Sequence, residues 1–189
     1  MEHYYQKVQG WFTFPTFYKS AVEQAKDGYH FVEVGVWKGT SAVYMGVEIV
    51  NSKKQIKFDC IDTFEGSDEH NDKSSSNYEP LLETKDGLYN HFLDNIAPLK
   101  DVITPIRKAS LEASELYKDA SLDLVFIDAA HDYDNVCADI KAWLPKVKPG
   151  GVLAGHDIHH PPIQQALKDV LQNDYLFTNE NIWVFKVKK

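Results

Sequence analysis

Phe31-Val32-Glu33-Val34-Gly35-Val36-Trp37-Lys38-Gly39-Thr40-Ser41 is an apolar run broken by one carboxylate, closed by a glycine, and followed by a second glycine and two hydroxyl residues. The apolar run predicts a strand, the glycines a turn, and Thr40 or Ser41 the N-cap of a helix over Ser41 to Val50. Gly35 and Gly39 permit a sharp turn and a close backbone approach to a ligand, and free N–H groups at a helix start favour anionic ligand groups. A strand, turn and helix start of this kind are built to hold a small polar cofactor at the strand's C-terminal end.

Downstream, strands and helices alternate. Strands are predicted at Ile56 to Ile61, Val102 to Ile106, Leu122 to Ile127 and Val152 to Ala154, with helices over Asp86 to Ile96, Ser110 to Tyr117, from Tyr133 through Leu144, and Pro162 to Leu171. Pro145 to Gly151 reads as a break, and two last strands near Tyr175 to Thr178 and Ile182 to Val187 read as a hairpin. Leu122 to Ile127 is nearly all apolar, as a strand buried on both faces is. The expectation is a single α/β domain over residues 1–189, with a mostly parallel seven-stranded sheet and helices on both faces.

Two segments fall outside that pattern. Residues 1–27 place seven aromatics in the first 18 positions: Tyr4, Tyr5, Trp11, Phe12, Phe14, Phe17 and Tyr18. They read as a helix near Pro15 to Ala25 packed on the sheet's edge, or as a flap over an acceptor pocket. Residues 66–80 are polar and rich in turn formers, so they read as a flexible loop or as a lid that orders over a ligand.

The formal net charge of -8 excludes a broad basic field, so nucleic acid and anionic membrane surfaces are not expected partners; a small-molecule acceptor is. The sequence leaves a homo-oligomer open. Cys60 and Cys137 make neither a disulfide framework nor a zinc spacing, and are expected to be reduced core residues. With no signal-peptide pattern at Met1 to Lys26 and no apolar run of membrane-spanning length, the expected compartment is the cytoplasm.

Ligands of such sheets bind at the carboxyl ends of the strands, where Glu33, Asp62, Asp128, His156 and Asp157 fall. Asp62, 27 residues after Gly35, is placed either to accept ribose hydroxyls or to act as a strand-end turn residue. His159 and His160 extend a histidine-rich run that Pro161 and Pro162 mark as an exposed loop.

Four motifs carry a family resemblance: Glu33-Val-Gly35-Val-Trp-Lys-Gly39-Thr-Ser41, Ile61-Asp62-Thr-Phe-Glu, Phe126-Ile-Asp128-Ala-Ala-His131-Asp-Tyr133, and Leu144-Pro-Lys-Val-Lys-Pro149-Gly-Gly with Ala154-Gly-His156-Asp157. In this order the chain resembles a class I S-adenosylmethionine-dependent methyltransferase of Rossmann-like fold, and within that class the macrocin O-methyltransferase and cephalosporin hydroxylase-like group. The resemblance implies that Glu33, Gly35, Gly39 and Ser41 line the methionine half of the cofactor, that Asp62 with Thr63 holds the ribose, and that Ala109 and Ser110 lie near the adenine. It also implies a metal at Asp128 and a general base at His131, whose alternative role is to cap or pack the following helix. An imidazole titrating near neutrality suits removal of a hydroxyl proton. His156 and Asp157 stand where metal-dependent relatives carry two oxygen ligands. A nitrogen donor there disfavours magnesium and admits manganese, iron or zinc beside Asp128, His156 and Asp157.

The function implied is O-methylation of a small hydroxyl-bearing molecule such as a sugar. Two rivals stand beside it: a nucleotide-dependent oxidoreductase on the same architecture, although Gly-x-Gly-x-x-Gly is absent, and a cofactor-binding, inactive partner subunit.

Overall fold

A computed structural model describes residues 1–188. Its seven strands form one sheet in the order β3-β2-β1-β4-β5-β7-β6. These are β1 (His30–Val34), β2 (Lys57–Asp62), β3 (Ile103–Arg107), β4 (Leu122–Ile127), β5 (Val147–Gly155), β6 (Leu176–Phe177) and β7 (Trp183–Lys186). The first five are mutually parallel, while β7 runs antiparallel to both β5 and β6. The fold class expected from the sequence is the one observed.

Side chains alternate between the sheet's faces, and each face buries its own apolar cluster. Phe31, Phe58, Cys60, Phe126 and Ala154 pack against α1 (Pro15–Gln24), α2 (Thr40–Ser52) and α4 (Gly87–Ile96). Val32, Val34, Ile61, Val125, Ile127 and Leu153 pack against α5 (Ser110–Ser114), α6 (Tyr133–Trp143) and α7 (Pro161–Leu171). Each large side chain buried this way contributes about 1.5 to 3 kcal/mol of transfer free energy. Cys60 and Cys137 are free and buried. Among the described residues no helix is long and apolar enough to cross a membrane.

Several boundaries differ from the sequence reading. β5 begins at Val147, because Lys148, Pro149, Gly150 and Gly151 continue as extended chain beside β4, with a register irregularity between Leu122 and Leu124. Helix α5 stops at Ser114. Neither Thr40 nor Ser41 caps α2, because the N-cap is Gly39 in the left-handed region at φ 92°. Helix α1 packs on the face of the sheet and not on its edge: Phe14, Phe17 and Tyr18 bring their rings within 4.6, 5.7 and 5.1 Å of Phe126 on the central strand β4. Residues 66–80 are partly ordered, holding the single helical turn α3 (Asp68–Asn71) and leading into a 3₁₀ turn over Pro80–Glu83.

Candidate active site

The parallel register places one row of residues across four adjacent strand ends. Val34 pairs with Ile61 and Ile127, and Ile127 pairs with Gly155. One residue further on lie Asp62, Gly35, Asp128 and His156, joined by backbone bonds from Gly35 N to Ile61 O, Asp128 N to Val34 O and His156 N to Ile127 O. By the period of two they share the face of Glu33, Cys60, Phe126 and Ala154, the face α1 and α2 cover. Three acids and a histidine from four strands therefore meet under the N-terminal segment.

Gly35, at φ 86°, is the narrow point of this row, since a Cβ there would collide with the backbone carbonyl of Asp128. Its lack of a side chain serves the contact between two strand ends. Gly39 serves the core in the same way: its Cβ would lie 2.9 Å from the Phe92 ring. Asp62 closes the loop between them. Its Oδ2 accepts from the N–H groups of Val36 and Trp37 at 2.9 and 2.8 Å, and its Oδ1 from Phe64 N–H at 2.8 Å. Burial pushes the Asp62 carboxyl above its ordinary range, against the lowering effect of these bonds. A carboxylate offers about four lone-pair positions, so one, on Oδ1, remains for a ligand hydroxyl. Asp62 thus shapes the glycine loop from the end of β2. Thr63, half-buried beside it, bonds Glu65 N–H through its hydroxyl.

Glu33 is fully buried and accepts a hydrogen bond from the Ser41 hydroxyl on the first turn of α2. Its second oxygen, Oε2, has no partner, and neither has the Tyr18 hydroxyl that faces it from α1. Burial pushes the Glu33 carboxyl up to about 8; the Ser41 bond works against that and the nearby Asp128 charge adds to it.

The second cluster lies beyond β4 and β5. His131 Nε2 is 2.9 Å from Asp157 Oδ2 and 4.0 Å from Asp128 Oδ1. His156 Nδ1 lies 3.3 Å from Asp157 Oδ1 and 3.7 Å from Asp128 Oδ1, and its Nε2 bonds the Thr13 hydroxyl at 2.8 Å. The hydrogen bond to Asp157 raises the His131 imidazole above its ordinary value, against its partial burial. Burial lowers His156, and the Asp157 and Asp128 carboxylates outweigh that, leaving it raised. Burial pushes Asp128 up to about 6, moderated by His156. Asp157 is raised by burial but held well below the carboxylate range by its two histidine partners.

The ligating atoms that converge are those of Asp128, His131 and Asp157, all within 4.8 Å of one another. The nitrogen in that group is His131; His156, the nitrogen the sequence pointed to, turns its Nδ1 to the same two carboxylates while its Nε2 is tied to the N-terminal segment through Thr13. His159 and His160 are exposed, as their loop setting suggested, and the His160 ring centroid is 5.4 Å from that of His131. Ser110 is turned into α6: its hydroxyl donates to Asp139 at 2.5 Å and accepts from the Trp143 indole N–H at 2.9 Å, so only the exposed Ala109 of that pair offers a free surface.

Two supporting residues escaped the sequence reading. Asn181, in the turn before β7, donates from Nδ2 to Asp157 Oδ1 at 3.0 Å, and Glu180 beside it accepts from Thr16 and Phe17 N–H at the start of α1. The only local signal was an Asn in a turn, because a pairing 24 residues distant leaves no periodic trace.

The family described as "Methyltransferase domain" matches residues 32–158. A curated protein from Sinorhizobium fredii (strain NBRC 101917 / NGR234), the uncharacterized protein y4gI, is 40% identical over 52 residues, which is 28% of this chain; the matched stretch spans only 6% of that protein. Among solved structures, the O-methyltransferase NovP has a TM-score of 0.69 at 15% identity, with 94% of this chain and 80% of that chain covered. SAH-bound methyltransferase PaMTH1 of Podospora anserina has a TM-score of 0.64 at 12% identity, covering 93% and 78%. The O-methyltransferase from Bacillus cereus in complex with SAH has a TM-score of 0.59 at 16% identity, covering 96% and 85%. At these identities the structural likenesses speak for the fold.

Proposed function

Because this chain belongs to the methyltransferase domain family, we propose that it is an S-adenosylmethionine-dependent O-methyltransferase acting on a small hydroxyl-bearing molecule. The observation that carries this reading is the His131 imidazole, held 2.9 Å from Asp157 on an exposed loop beside the buried Glu33 and the half-buried Asp62 and Asp128.

The residues fit such a cofactor. Glu33 Oε2 is a buried acceptor without a donor, and Glu33, Asp62 and Asp128 are all pushed above their ordinary values at one strand edge. A ligand bearing an ammonium and a sulfonium would offset the burial that raises them, since an opposite charge favours the ionised carboxylates. Glu33, Asp128 and the one free position on Asp62 would hold it. When bound, S-adenosylmethionine supplies an activated methyl group.

The chain's own part is the acceptor's proton. His131 takes it through Nδ1, because Nε2–H donates to Asp157; that carboxylate, anchored by Asn181, orients the ring and steadies the imidazolium that results. The half-buried Asp128 stands 4.0 Å from Nε2 and adds its charge to that effect. The test is formation of S-adenosylhomocysteine from S-adenosylmethionine in the presence of panels of sugars and phenols. Turnover that depends on an acceptor hydroxyl supports the reading; cofactor binding without turnover on any panel favours an inactive partner subunit.

A second reading of the same cluster is favoured by the 4.8 Å convergence of Asp128, His131 and Asp157. Two carboxylates and an imidazole suit manganese, iron or zinc better than magnesium, and a cation there would make the acceptor hydroxyl more acidic. His131 cannot be ligand and base at once, so activity after chelation separates the two.

A further inference from the structure

Three aromatic rings from three separate segments meet at the rim of the site. Trp37, in the glycine loop, lies 4.3 Å from His70 of α3 between ring centroids, and Trp11 lies 6.4 and 6.3 Å from them. Trp11 remains 66% exposed, the largest aromatic surface left open among the described residues apart from Phe177. The other two tryptophans, Trp143 and Trp183, are buried in the core.

A buried cation pins the three segments together. The Lys38 side chain is 3% exposed; its Nζ pairs with Glu79, which is itself buried, and donates to Gln9 Oε1 at 2.5 Å. Gln9 is two residues before Trp11, Lys38 follows Trp37, and Glu79 N–H bonds the carbonyl of His70 at 2.9 Å. Burying an ammonium is costly unless it is fully paired, and such pairs serve to fix one arrangement. The arrangement fixed here is the convergence of the rings.

The rings also stand next to the proposed chemistry. Thr13, two residues after Trp11, bonds His156, and Gly35, two residues before Trp37, abuts the Asp128 carbonyl. Cα atoms two residues apart are at most about 7 Å apart. Helix α3 carries His70 and so borders the ring cluster. Asp68, Glu69 and Asp72 are exposed on that segment, and its one lysine, Lys73, is paired with Glu83.

We propose that Trp11, Trp37 and His70 are the wall on which the acceptor's ring rests, and that this wall takes an uncharged ring compound with a hydroxyl on its edge. An indole face receives an aromatic ring or the apolar face of a sugar alike, and the acidic segment beside it disfavours anions. This rests on the methyl-transfer reading above.

The test is quenching of tryptophan emission by two neutral probes, catechol and methyl β-D-glucopyranoside, and by 3,4-dihydroxybenzoate as the carboxylate counterpart of the first. At least one neutral probe is expected to bind saturably, and the carboxylate about 3- to 10-fold more weakly than catechol, with the gap narrowing at high salt. Trp11→Ala should weaken the neutral probe by about 3- to 10-fold, the value of one aromatic contact, and Trp11→Phe should restore most of it. Saturable binding by neither neutral probe, equal affinity in Trp11→Ala, or a carboxylate bound as tightly as catechol would overturn the proposal. Thermal stabilisation by S-adenosylmethionine is measured on the same samples. If it persists while ring binding is absent, the wall alone fails; if ring binding holds while it is absent, the wall stands and the methyl-transfer reading fails.

Discussion

Gly35 and Asp128 touch backbone to backbone: the α-carbon of the first occupies space against the carbonyl of the second that no side chain could share. This contact welds the end of β1 to the end of β4, and so fixes the distance between the glycine loop and the Asp128 cluster. Gly35→Ala is expected to cost about 2 to 5 kcal/mol, from a left-handed backbone worth about 1 to 2 and overpacking worth about 1 to 3. Urea unfolding measures it. A stability equal to that of the parent would show that the loop can lift away from β4 freely.

The buried Glu33, with Oε2 unpartnered, makes stability depend on pH. Its carboxyl is pushed from an ordinary 4.5 to about 8 in the folded chain. Between those values the folded state binds the extra proton, so this group's contribution favours folding below about 4.5 and is lost as pH rises towards 8. Glu33→Gln should flatten that part of the stability profile and raise stability relative to the parent at alkaline pH. It should also weaken S-adenosylmethionine, whose affinity for the parent is expected to rise with pH over the same window as Glu33 ionises. A variant whose stability profile overlays the parent's would place the proton elsewhere.

His131→Gln separates chemistry from binding. A general base typically supplies ~10² to 10⁴-fold, so turnover should fall by at least about 10²-fold while cofactor affinity stays unchanged. Loss of both together would make His131 a structural residue. If it is chiefly a metal ligand, the parent enzyme should lose activity on chelation and regain it with manganese or zinc.

Breaking the Lys38–Glu79 pair strands a buried charge. Removing one partner of a well-buried pair costs about 3 to 5 kcal/mol, the cost expected here because both side chains are buried. Lys38→Met and Glu79→Gln should also accelerate hydrogen exchange over residues 66–83, and the double variant should cost less than the sum of the two. Additive costs would show that the two side chains stabilise the fold independently.

The sheet was legible in the sequence because its signals are local. Apolar runs such as Leu122 to Ile127 announce buried strands, and Gly35 and Gly39 announce the turn. From there the parallel register alone carries Asp62, Asp128 and His156 into one row. What stayed hidden depends on side chains meeting across long stretches of chain. The Lys38–Glu79 pair is 41 residues apart, Thr13 and His156 are 143 apart, and neither leaves a periodic pattern. Residues 66–80 looked unstructured because their order comes from short turns and side-chain bonds, such as the Ser67–His70 capping box and the buried Glu79, with no apolar period behind them. Thr40 and Ser41 looked like helix caps, but Gly39 takes the cap position and Ser41 is drawn inward by Glu33. Ser110 looked available to a ligand until Asp139 and Trp143 were seen to claim its hydroxyl.

The most direct measurement is the melting temperature of the intact chain with S-adenosylmethionine, with its demethylated product, and with nicotinamide dinucleotides. At a hundredfold excess over the dissociation constant, linkage gives about 2.7 kcal/mol, or roughly 5 to 10 °C for a chain of this size. The account predicts a rise of that order with the first two ligands and none with the third. No rise with S-adenosylmethionine, or an equal rise with a nicotinamide dinucleotide, would contradict it.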